Sequence, residues 1–393
     1  MQLDGGRRKV RMRYIRSHRL RRQLGTLMVI VLAPLLMQQT DIGDFKEAEY
    51  TELNPRWEYA GVVLESSLGS LAGVVACPGE TVDENLLVAV DSSGTVTELR
   101  YVGDAWETVR TFAIGHPVCC VSAGAPQHDR KWRVYVGSLD GQVTELTRTK
   151  LGWTTNPVVT LDHPVLAIHT TNPGKKGISQ LFVIDKAGHA TNLWIGMNQD
   201  WQTRPIPDID GGITDLVYSM ERTGLNIIVA GPSGTLHQLV QDTMGFWSGD
   251  EWAAMAGGVL DMAASADPTM KDMAVYYSGD DGHFRYLFFD HKSDEASRVP
   301  VAGGASHLIG KQSSLRYNEF MGLSRDEYCQ FEFNFTTREW DRVPLYRVGQ
   351  DLVSVHFGQA RPGHPYQFYV VTADGLIHEF VRQEMPEEAA SGE

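Results

Sequence analysis

The chain has 393 residues, 42% of them hydrophobic and 21% charged, with four cysteines and a formal net charge of −14. That length and apolar content exclude a wholly disordered chain, and four cysteines are too few for a disulfide scaffold. The charge is uneven: the first 40 residues hold nine Arg or Lys and one Asp, a net +8, so the remainder carries −22. A surface of that sign repels a phosphate backbone, and no nucleic-acid partner is expected.

In chain order, the head comes first. All nine basic residues fall within 7–22, and "LGTLMVIVLAPLLM", residues 24–37, follows as a 14-residue apolar run. A basic segment ahead of a short apolar one reads as a secretory signal. The run is shorter than the roughly 20 residues of a comfortable membrane span. "MQQT" offers no clean small-x-small cleavage site, so residues 1–40 are read as a signal peptide or a signal anchor. The expected location is the secretory pathway, secreted or in a vesicular or ER lumen, with no stable membrane span once the signal is removed.

The next element is a predicted strand, "RWEYAGVVL", residues 56–64. Then a repeat begins. "GTVTELRYVGDAW", residues 94–106, returns as "GQVTELTRTKLGW", residues 141–153. Equivalent glycines stand at Gly94, Gly141, Gly188, Gly234, Gly282 and Gly375, with steps of 47, 47, 46, 48 and then 93, two periods. The copy without a glycine falls at Tyr328, where "YCQFEF" replaces "GLIHEF".

Each copy reads as short strands rich in Val, Ile, Tyr and Phe, with turns such as "SSG", "LDG", "KAG" and "ADG" between them. Trp106, Trp153, Trp201, Trp252 and Trp340 open a fourth strand and are expected to pack between sheets. A repeated four-stranded antiparallel unit buries both faces only by stacking between its neighbours. The expected fold is all-β, a single β-propeller over residues 56–381 with seven four-stranded blades; six is the alternative count. The last copy ends after its third strand near Phe380, so the N-terminal strand, with Trp57 in the tryptophan's place, is expected to complete it. Residues 382–393 are acidic and without apolar periodicity, and are read as a disordered tail.

In such a ring the loops entering each innermost strand share a face with the turns joining second and third strands. The entries read "GHPV" (115–118), "DHPV" (162–165), "DGGI" (210–213), "GGVL" (257–260), "GGAS" (303–306) and "GQDL" (349–352). Unequal chemistry at equivalent places points to one asymmetric pocket. His116 and His163 are its candidate catalytic groups, and Asp210, Gln350 and Asp351 its candidate substrate-binding groups. The bland reading is that each His-Pro is only a turn.

No motif for a metal, phosphate or nucleophile is present, and "AGHATNL" holds one His without a companion carboxylate at ligand spacing. Neither a metal nor a cofactor is therefore expected. Cys77 and Cys119 or Cys120 occupy one strand position in consecutive copies, which allows a bridge or buried free thiols. Asn334 begins a glycosylation sequon, Asn334-Phe335-Thr336.

Two family resemblances follow. The second copy, "RVYVGSLDGQVTELTRTKLGW", resembles the blades of fungal fucose-binding lectin propellers, which clamp a sugar with an Arg, a Glu and a Trp. That resemblance implies that Arg133, Glu145 and Trp153 converge on one exposed sugar pocket. The full set stands in this copy alone: copy one has Glu98 and Trp106 without the Arg, and copy three has Asn192 in place of the Glu.

In layout, the signal-like head and the single degenerate propeller without cofactor motif resemble the hetero-Diels–Alderases of fungal tropolone–sesquiterpenoid pathways, of the eupenifeldin and xenovulene type. That resemblance implies a cofactor-independent cyclase joining a tropolone quinone methide to a humulene-type terpene, so small hydrophobic substrates are expected. Protein interaction is the third reading.

Overall fold

The computed structural model describes residues 57–64, 68–78, 85–124, 132–170, 180–196, 198, 200–221, 224–242, 246–254 and 258–266. Beyond them it describes the strand residues 273–279, 284–289, 296–301, 307–309, 319–324, 327–334, 339–347 and 352–357, then 366–382. For most strands between 260 and 357 the description is of the backbone. All these residues fall in one compact unit, 46–393. The signal expected over residues 1–40 lies outside the described residues, as do Gln350 and Asp351. Arg382, read as the start of the tail, instead ends the last strand, Ile377–Arg382; residues 383–393 lie outside.

The strands form seven four-stranded antiparallel sheets. In chain order the blades span 71–113, 118–160, 165–205, 215–254, 259–301, 307–347 and 352–382, each running from an innermost strand outward. The innermost strands of successive blades touch, and blade seven touches blade one, so the ring closes. The fold is a seven-bladed β-propeller.

Closure uses the N-terminal strand. Trp57–Val62 pairs with Ile377–Arg382 as the fourth strand of blade seven. Its register matches the other blades: Trp57 lies opposite Arg382, as Trp106 lies opposite Tyr101 and Trp153 opposite Arg148. In blade four that register belongs to Trp247, opposite Gln241, and not to Trp252. Trp247 packs edge-on against Phe182 of blade three, the interblade contact expected of Trp252. In blade six Trp340 pairs with Phe333, the seventh residue of its third strand, which is the place Tyr101 and Arg148 hold in theirs.

The core lies between blades. One buried cluster joins Val75, Leu86 and Val88 of blade one to Val134, Val136 and Leu146 of blade two. Others join blades two and three, three and four, and seven and one. Middle strands are therefore covered on both faces, and Arg133–Ser138 is buried throughout; outer strands such as Ala105–Ala113 are largely exposed. Each Val or Leu so buried contributes about 1.5–3 kcal/mol.

Polar side chains tie the same interfaces. Glu98 of blade one accepts the Trp153 indole N–H at 2.8 Å and the Arg148 Nε–H at 3.1 Å, both from blade two. Glu379 of blade seven accepts the Trp106 indole N–H of blade one at 2.9 Å. The repeated Glu and Trp thus join each other across neighbouring blades. Asp215 joins three: its carboxylate accepts the Met262 N–H of blade five at 2.7 Å and its own neighbour Leu216 N–H at 2.8 Å, and lies 3.3 Å from His169 Nε2 of blade three. The described cysteines, Cys77, Cys119 and Cys120, are free thiols, and burial pushes the Cys77 thiol up to about 12.

Candidate functional site

The repeating glycine builds the face on which the candidate residues sit. Gly94 has φ +88°, in the left-handed region, and a Cβ there would collide with the carbonyl of His116 in the loop entering blade two. Gly141, at φ +84°, lies in the same way against Leu161 and His163. The docking is hydrogen-bonded: Ile114 N–H donates to the Gly94 carbonyl at 2.9 Å, and Leu161 N–H to that of Gly141 at 2.9 Å. Ile213 N–H repeats it on Gly188 at 2.8 Å. Second-to-third-strand turns and entry loops therefore share one face, which we call the entry face.

On it the predicted residues fare differently. The His116 ring is half-buried, with Nε2 3.2 Å from the Thr144 hydroxyl and Nδ1 3.3 Å from the Pro117 carbonyl. These contacts hold it as a turn residue. His163 is exposed, and its ring stacks at 5.8 Å on that of His189. Asp210 is exposed in the loop entering blade four. Asp140, in the blade-two turn and within electrostatic reach of His116, sits below the usual carboxylate value, held first by the Ser138 hydroxyl.

Sequence reasoning missed two features. The first is a carboxylate for His189: Asp185, four residues earlier, places Oδ2 3.2 Å from His189 Nδ1. The "DKAGH" turn closes them together, so "AGHATNL" does have a companion carboxylate. His163 completes a set of three. The second is a bulge after the first residue of the innermost strands of blades one, two, three, five and seven. A bulge re-aims its extra side chain. In blades three and seven that residue is Leu166, 41% exposed, and Val353, 44% exposed, on the strands that line the axis. Ala72 and Cys119, the equivalents in blades one and two, pack into the interblade clusters. Leu139, 52% exposed, tips the blade-two turn that touches the His163 loop.

Arg133, Glu145 and Trp153 do not share one exposed pocket. Arg133 and Glu145 are buried and paired at 3.2 Å, with Tyr135 OH and Thr147 OH also donating to the carboxylate. That set faces blade three, where Tyr135 packs. Trp153 lies on the other face of the sheet, against blade one. Asn334 ends the strand Glu327–Asn334, and its side chain lies outside the described residues. Among the described residues, no helix is long and apolar enough to cross a membrane.

No protein-family profile matches the chain. No curated protein matches it either. Among solved structures it is similar to BBS1N in complex with ARL6DN, in crystals soaked with lead and with mercury. Identity is 11% in both, with TM-scores of 0.61 and 0.62, covering 84% of this chain and 99% of the other. At that identity the likeness concerns the propeller fold.

Proposed function

We propose that the chain is a recognition propeller that engages a protein partner through its entry face, at the sector around blades two and three. The observation that carries this reading is the exposed apolar pair Leu139 and Leu166 flanking the exposed His163. Apolar anchors beside a few polar groups are what a binding centre requires. The buried repeats, by contrast, are consumed in holding blades together. The similar BBS1N propeller was crystallised with a protein partner, which lends the class support.

The test is site-specific photo-crosslinking in a native extract. Crosslinkers at residues 139 and 166 should capture one partner, while one at Leu151, 95% exposed on the opposite face, should not. Leu166→Asp should weaken binding of that partner at least about tenfold. Capture from position 151 alone would overturn the reading.

The cyclase implied by family resemblance keeps one supporting feature, an exposed imidazole beside the apolar Leu166. Two hydrophobic reactants held there would gain about 7–11 kcal/mol from orientation. His163 would donate to the developing oxyanion. With a tropolone precursor and a humulene alcohol, His163→Ala should then slow cyclisation by about 10²–10³. A spontaneous product ratio unchanged by the wild-type protein removes this reading.

A further inference from the structure

We infer that His163, Asp185 and His189 bind a divalent transition metal of the zinc, cobalt or nickel kind on the entry face. Each offers one ligand atom, and these lie within 4.8 Å of one another. Nδ1 of His189 and Oδ2 of Asp185 are 3.2 Å apart. That separation matches the edge of a tetrahedron with metal–ligand bonds of about 2.0 Å.

Two of the ligands are preorganised. Oδ1 of Asp185 accepts the N–H groups of Ala187 and His189, each at 2.9 Å, which leaves Oδ2 toward the imidazole. Asp185 is 5% exposed, so its carboxylate is fixed from behind. The turn is closed by Asp185 N–H on the His189 carbonyl and Gly188 N–H on the Asp185 carbonyl, both at 3.0 Å.

The third ligand comes from the loop entering blade three. Lys186 N–H donates to the Pro164 carbonyl at 2.8 Å, which seats that loop against the turn. The rings of His163 and His189 are 5.8 Å apart and 25° from parallel. A movement of about 1–1.5 Å by the exposed His163 side chain closes the remaining edges to bonding distance.

The donor set selects the metal. Two imidazoles and one carboxylate suit zinc, cobalt or nickel, whereas calcium and magnesium call for more oxygen ligands. Three protein ligands on a solvent-facing rim leave a fourth position for water or an incoming ligand. His116, at the equivalent entry of blade two, faces the Thr144 hydroxyl and is an internal control. The cluster is independent of which partner the entry face receives.

The experiment titrates the purified, tag-free full chain with Co²⁺, follows the d–d absorbance and competes with Zn²⁺. One Co²⁺ per chain is expected, with His163→Ala and His189→Ala each weakening it at least about tenfold. His116→Ala should leave affinity unchanged. Asp185→Asn keeps the Oδ1 acceptor for the turn and removes the anionic ligand, so it should lose metal at an unchanged melting temperature. No saturable Co²⁺ or Zn²⁺ binding by the wild-type chain at about 100 µM metal would overturn the proposal. So would binding that survives both His163→Ala and His189→Ala.

Discussion

A chain cut to begin at residue 65 is expected to melt about 10 °C or more below the full chain, or to fail to fold as a monomer. A chain cut to begin at residue 46 keeps Trp57–Val62 whole and is expected to melt as the full chain does. The missing strand is the fourth of blade seven, six residues long with five of them paired along Ile377–Arg382. Its loss removes more than ladder bonds. Val63 is buried among Val74, Leu87 and Tyr369, and its N–H donates to the Ile377 carbonyl at 2.8 Å. Tyr59 packs on Phe380 at 5.3 Å and lies 3.1 Å from His378 Nδ1 through its hydroxyl.

Counting about 1 kcal/mol per hydrogen bond and about 2 kcal/mol per buried apolar side chain, the strand contributes several kcal/mol. A domain's whole stability is about 5–15 kcal/mol. The cut also bares the edge of the last strand, a template for aggregation. Thermal unfolding of the two truncations measures this directly. Equal melting temperatures would mean that the ring does not depend on this closure.

The closure was legible because it left a gap in a count: a seventh copy with three strands, and one strand with a tryptophan at the other end. The repeating glycine was legible for a similar reason. Gly94, Gly141, Gly188 and Gly375 each serve twice, for a left-handed turn and for close contact with a neighbouring loop. The tryptophan of blade four was misassigned although the signal was present. Trp247 stands 46 residues after Trp201, close to the period, and Trp252 stands 51 after it.

The candidate site was half legible. His163 could be singled out because a His-Pro pair precedes an innermost strand. Its partners Asp185 and His189 belong to a turn of the next hairpin, and no spacing reveals that the entry loop folds over that turn. The bulges were invisible for a different reason. A one-residue slip shows when apolar and polar residues alternate, but these strands are covered on both faces and hardly alternate. Nothing in the sequence therefore separates the exposed Leu166 and Val353 from core residues of the same strands.

Replacing Glu98 by Ala is expected to cost about 3–5 kcal/mol in urea unfolding, far more than the area of one side chain explains. Glu98 is 3% exposed and receives both the Trp153 indole and the Arg148 guanidinium from the next blade. The Arg148 side chain is only 12% exposed at that contact. Removing the carboxylate strands a largely covered cation and a part-buried donor, and the penalty is the desolvation left uncompensated rather than the net worth of the bonds. The prediction has an internal check. Arg148→Met added to Glu98→Ala removes the stranded charge, so the double variant should be more stable than Glu98→Ala alone.

The ring already contains the beginnings of this experiment. In blade three the equivalent residue is Asn192, and the facing Trp247 has a buried indole N–H without a hydrogen-bond partner. The residue in the place of Arg148 there is Gln241, so the positive charge vanished together with the negative one. A neutral interface tolerates one orphaned indole, whereas an orphaned guanidinium costs more. If Glu98→Ala unfolds within about 1 kcal/mol of wild type, the Glu–Trp joint does not hold blades one and two together. The repeated Glu-Leu would then be a packing residue that happens to lie near an indole.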